Sequence, residues 1–225
     1  MPGDPLAGFT ESTFTHDGLS RQVFRAGTGP AVIVIHEVPG LHPEVIAFGR
    51  RVVDAGFTVF MPSLFGTPGR EFGWGYTFQT MPRVCLAREF TTFALDRTSP
   101  ITGWLRRLAA DAHTECGGPG VGAVGISDAD FERVKDRAAQ GACALGLRFS
   151  ADPAVPPERF ETLRRELGDG FIAVEIDSSR GNPHGIKRFA HSVLTLDLVD
   201  EPGHPTRGAL DRVLAFLKER LLAPG

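Results

Sequence analysis

A chain of 225 residues with 42% hydrophobic and 23% charged side chains can bury one sizeable α/β core. Its 24 Lys and Arg against 27 Asp and Glu leave a formal charge of -3, with no basic block to neutralise a phosphate backbone, so no nucleic-acid partner is expected. No segment approaches the roughly 20 apolar residues that span a bilayer, and the opening MPGDPLAGFTESTF lacks the charged and apolar parts of a signal peptide; the expectation is a cytoplasmic protein with no membrane partner.

The elements alternate along the chain. A short N-terminal hairpin (STFTHDG, SRQVFRAG) is followed by the β-branched apolar run Ala31 to Ile35, of the kind buried on both faces of a parallel sheet. PEVIAFGRRVVDAG opens with Pro43, closes with Gly56 and sets Val45, Phe48, Val52 and Val53 at helical spacing, so a helix is expected there. FTVFMP is the next strand, and SLFGTPGREFGWGYTFQTMP is an aperiodic loop rich in Gly, Pro and aromatics. TSPITGWLRRLAADAHTECGG is a helix with Pro near its start and Gly at its end. Strand Val121 to Val124, helix Asp128 to Gln140, strand Ala142 to Phe149, helix Pro157 to Leu167, strand Phe171 to Ile176 and a final helix from Pro205 to about Leu222 complete the series. The pattern predicts a single α/β domain over residues 1–225, a mostly parallel sheet with helices on both faces.

In such sheets the reactive groups sit on loops beyond the carboxyl ends of the strands. Four of these loops are polar: HEVPGLH, GISDA, SADPAVP and GNPHGI. GVGAVG contains G-x-G-x-x-G, but its glycines lie within the strand and no acidic partner is placed for a ribose, so no dinucleotide cofactor is expected. HEVPGLH has two histidines six apart across Pro39-Gly40, which bars the helix that would align metal ligands; no metal is expected. The three cysteines contain no C-x-x-C pair, which argues against a disulfide framework or zinc knuckle. Cys143 reads as a core residue and Cys85 as a distant thiol candidate. His191 and His204 read as surface or packing residues.

The stretch VIVIHEVPGLHPEVIAFGRRVVDAGFTVFMPSLFG, with ADPAVP and PHGI downstream, resembles the dienelactone hydrolase family, and the likeness runs over most of the chain. The resemblance implies an α/β-hydrolase fold without a cofactor, acting on small esters or lactones. It implies that Glu37 is the loop glutamate that meets the nucleophile at rest, with the following amide at the oxyanion site. It also implies that Asp152 is the triad acid and His184 the triad histidine, so that these two are expected side by side at one sheet edge with Glu37 facing the same cavity. Arg188 matches an arginine that can hold a substrate carboxylate, and Arg88 is the candidate for a second. Either arginine also has a plain reading as a solvated charge or salt-bridge partner.

One element departs from the family pattern. Where the family has G-x-C-x-G-G on a strained turn, this chain has GISDAD, and about one helix and strand, on the order of 30 residues, is missing before the acid. Ser127 has Gly125 and Ala129 at the flanking small positions of a nucleophile elbow and precedes Asp152 and His184 in the order of an α/β-hydrolase triad. It also stands three residues before Asp130 in an N-capping pattern, and Asp128 and Asp130 would oppose a forming oxyanion, which favours a cap. Two functions stay open: a nucleophile-His-Asp hydrolase of small esters or lactones, or a non-catalytic relative that keeps the fold and a ligand pocket. Oligomeric state is not legible.

Overall fold

The computed structural model describes residues 3–73, 75–77, 100–125 and 143–222. Its contacts group into two compact units, one of residues 1–127 with 217–225 and one of residues 128–216, where the sequence pattern reads as one domain. The predicted helix from Asp128 to Gln140 lies outside the described residues.

In the first unit five strands form one mixed sheet in the order β1-β2-β4-β3-β5. The hairpin pairs β1 (Thr10–His16) antiparallel with β2 (Leu19–Ala26) through Asp17-Gly18. Both turn residues have positive φ, 48° and 78°, the backbone that Asp-Gly supplies and that matches the twist of the strands. β3 (Ala31–Ile35) runs parallel to β4 (Thr58–Pro62) and to β5 (Gly122–Gly125), while β2 closes antiparallel on β4.

The β3–β4 crossover is α1 (Pro43–Asp54), which starts on Pro43 with Glu44 in its first turn and has Arg51 in its last, each charge on the favourable end of the helix dipole. One face of the sheet, with Ala31, Ile33 and Phe60, packs on Ile101, Trp104 and Leu108 of α2 (Pro100–Cys116). The opposite face meets α1, where Gly49 lies so close to Met61 that an added Cβ would stand 2.7 Å from its sulfur. Burial on both faces explains why β3 and β4 are almost wholly apolar, with no alternation of polar residues.

The second unit contains a parallel β-α-β crossover: β6 (Ala144–Phe149), α3 (Pro157–Leu167) and β7 (Phe171–Ile176). Its small core is Phe160, Leu167 and Phe171. The Phe160 and Phe171 rings meet edge to face at 5.4 Å over Gly146, where a Cβ would stand 2.9 Å from Phe171. Arg148 on β6 and Glu175 on β7 are register partners joined by a 2.6 Å ion pair. The last helix, α4, spans Pro205–Leu221. Among the described residues no helix is long and apolar enough to cross a membrane.

Candidate active site

In the first unit the chain leaves β3 into the loop 36–42. His36 is buried between the ends of β3 and β4: the Leu64 N–H donates to its Nε2 at 2.9 Å. The proton therefore sits on Nδ1, which donates to the Glu37 carbonyl at 2.9 Å. Burial pushes the His36 pKa down to about 4, only partly opposed by that hydrogen bond, so the ring is neutral and acts as a fixed brace.

Gly40 has φ 139° and lies against the Phe65 carbonyl, 2.8 Å from where a Cβ would be; this close approach bends the loop back so that His42 reaches Glu37. His42 is 1% exposed. Its Nε2 stands 3.3 Å from Glu37 Oε1 and its Nδ1 2.8 Å from Glu44 Oε2 on α1. Burial lowers the His42 pKa, but the hydrogen bonds to Glu37 and Glu44 outweigh it, so the net shift is upward.

In the second unit the loops after β6 and β7 are stitched together. The Ala151 N–H donates to Ser178 Oγ and the Ser178 N–H to Ser150 Oγ, both at 3.0 Å. Asp152, on the first of these loops, is buried; its Oδ1 accepts the Ala154 N–H at 2.9 Å in a local turn. Its Oδ2 accepts from His191 Nδ1 at 2.6 Å. The imidazole is 41% exposed while the carboxylate is 3% exposed, so a buried acid orients a base whose Nε2 carries the lone pair. Asp197 Oδ2 accepts the backbone N–H of His191 at 2.8 Å and of Ser192 at 3.0 Å, fixing the turn that presents the ring.

The partner expected for Asp152, His184, is placed elsewhere on the segment after β7. The backbone N–H of Gly185 donates to the Asn182 carbonyl, making Asn182-Pro183-His184-Gly185 a β-turn with Pro at its second position and His184 at its exposed tip. Asn182 Oδ1 holds that turn by accepting the N–H groups of His184 and Ile186, and the His184 ring stands edge-on to His204 at 5.4 Å. Arg188 is exposed, its guanidinium 5.9 Å from the ring of Phe189, on the same segment as His191. Glu37 belongs to the first unit and Asp152 to the second. Ser127, Arg88 and Cys85 lie outside the described residues. Among the described residues no group of three or more His, Cys, Asp or Glu is arranged to hold a metal.

Sequence reasoning missed His191 and Asp197. The loop after β7 offers three histidines, His184, His191 and His204, and spacing alone does not rank them. The available signal was turn chemistry: N-P-H-G marks His184 as a turn tip.

The parallel crossovers β3–α1–β4 and β6–α3–β7, with helices packed on the strands, make this an α/β protein. Residues 20–87 match the Dienelactone hydrolase family. Comparison with curated protein sequences gives no match. Among solved structures the chain is similar to a candidate dienelactone hydrolase from Klebsiella pneumoniae, with a TM-score of 0.61 at 16% identity over 94% of this chain and 98% of that one. It is also similar to a dienelactone-hydrolase-like promiscuous phosphotriesterase from metagenomic libraries (TM-score 0.59, 15% identity, 95% and 98% covered). A third likeness is to an α/β serine hydrolase without a lid from Xanthomonas campestris (TM-score 0.53, 16% identity, 97% and 98% covered).

Proposed function

We propose that this chain is a hydrolase of small carboxylic esters or lactones in which His191, oriented by Asp152, is the general base. The observation that supports this is the 2.6 Å bond from His191 Nδ1 to the buried Asp152 carboxylate, which leaves Nε2 as the proton acceptor. In this reading Nε2 takes the proton of a hydroxyl nucleophile, whose oxygen adds to the substrate carbonyl. The imidazolium then gives that proton to the leaving alkoxide, and water repeats the sequence to release the acid. Ser127 is the sequence candidate for the nucleophile, and Glu37 the candidate loop glutamate. Arg188, close in sequence to His191, favours substrates that carry a carboxylate.

The competing reading is a non-catalytic relative, supported by the GISDAD departure in the elbow segment. Labelling with a fluorophosphonate probe, read by intact mass, separates the two. The hydrolase reading expects one adduct, lost in Ser127→Ala and suppressed in His191→Ala. No adduct on the folded wild type, together with ester turnover no faster than buffer, supports the non-catalytic relative.

A further inference from the structure

The loop HEVPGLH holds two buried histidines in opposite hydrogen-bonding states. His36 receives an N–H at one ring nitrogen, so its bonding requires a neutral ring. His42 faces carboxylate oxygens at both ring nitrogens, Glu37 Oε1 at Nε2 and Glu44 Oε2 at Nδ1. An ionised carboxylate has no proton to give, so both bonds form together only when His42 donates at both nitrogens.

We propose that His42 is a positioning residue: held as a buried imidazolium between Glu37 and Glu44, it fixes the Glu37 side chain and keeps it a carboxylate. The inference rests on the reading of Glu37 as a site residue for its functional meaning, but not for its charge state. His42 is 1% exposed, so its charge would be costly to bury without the carboxylates that face both of its nitrogens. Glu44 is 45% exposed and forms the shorter of the two bonds, so a surface carboxylate on α1 sets the state of a buried pair behind it. Among the described residues the imidazole also neighbours the His36 ring, neutral and therefore no competitor for charge, and the Phe72 ring at 6.1 Å.

This geometry makes Glu44 the point of control. Replacing it by Gln keeps a hydrogen-bond acceptor and removes the charge, leaving the Glu37–His42 contact in place but shifting its protonation. A merely structural role for His42 would not show that dependence.

The test is the long-range proton–nitrogen NMR correlation of the His42 ring in the full chain, titrated in the wild type, Glu44→Gln and Glu37→Gln. The expected result is a wild-type midpoint above the ordinary imidazole value of 6.5. The midpoint should fall by about one pH unit or more in each variant, the size a lost neighbouring charge produces. In His42→Gln the Glu37 carboxyl carbon should titrate at higher pH than in the wild type. If that variant does not fold, the two Glu variants decide the matter. A His42 midpoint at or below 6.5, or one unmoved by Glu44→Gln, overturns the proposal. None of these readings needs turnover, so their failure is distinct from failure of the hydrolase reading, which the fluorophosphonate adduct reports.

Discussion

Asp152 Oδ2 and His191 Nδ1 stand 2.6 Å apart, joining the loop after β6 to the long segment after β7. The bond links a carboxylate shielded from water to an imidazole that still reaches it, and it fixes the tautomer in which Nε2 accepts protons. Asp152→Asn keeps the shape but can present an amide N–H to Nδ1, which favours the other tautomer. Ester hydrolysis should fall by about 100-fold or more with thermal stability little changed. Steady-state kinetics beside a melting curve checks this.

Asp197 acts one step further out. Its Oδ2 accepts two backbone N–H groups, those of His191 and Ser192. Asp197→Ala should cost about 1 kcal/mol of stability, as for loss of a capping side chain. It should also lower kcat by about 10-fold with KM little affected, because the base is misplaced while the substrate still binds. A urea titration and a kcat-against-KM comparison separate these effects.

His36 and His42 give stability opposite slopes with pH. The folded pKa of His36 is depressed to about 4 from 6.5, so the unfolded chain takes up the proton first as pH falls. The stabilisation is complete above pH 6.5 and is lost through the window down to about 4, amounting to roughly 3 kcal/mol. His42 is raised above 6.5, so its contribution is present below that value and fades as pH rises through the folded pKa. Urea unfolding from pH 4 to 9 should show both limbs. His36→Gln should flatten the acid limb alone, and an unchanged acid limb would contradict the buried neutral ring.

Gly40→Ala tests the bend that brings His42 back to Glu37. The new Cβ would meet the Phe65 carbonyl at 2.8 Å with φ at 139°, a backbone region that L-residues rarely adopt. The expected loss is about 2 kcal/mol, read as a lower urea midpoint with an unchanged m-value.

The fold was largely legible because its strands and helices announce themselves by periodicity and punctuation. Pro43 and Pro157 begin α1 and α3, and the apolar runs at Ala31 and Phe171 are β3 and β7. The hairpin expected from STFTHDG and SRQVFRAG is β1 and β2, joined through Asp17-Gly18. The histidine of the site was less legible, because His184 and His191 lie on one irregular segment where no period fixes which side chain turns toward Asp152. The hydrogen bonds of Asn182 and Asp197 decide it, and these depend on folded backbone geometry. The His36 and His42 bonding was hidden for a related reason. Two histidines across Pro39-Gly40 raise the question of a metal, while their partners, the Leu64 amide and the Glu44 carboxylate, are brought in by the end of β4 and the first turn of α1.

The most direct test of the central claim is the rate of hydrolysis of a small aryl ester by wild type, His191→Ala and His184→Ala, measured side by side on folded protein. The expected result is turnover above the buffer rate in the wild type, about 100-fold or more slower in His191→Ala, and within about threefold of wild type in His184→Ala. Loss in His184→Ala with His191→Ala unaffected, or a wild type no faster than buffer, would contradict it.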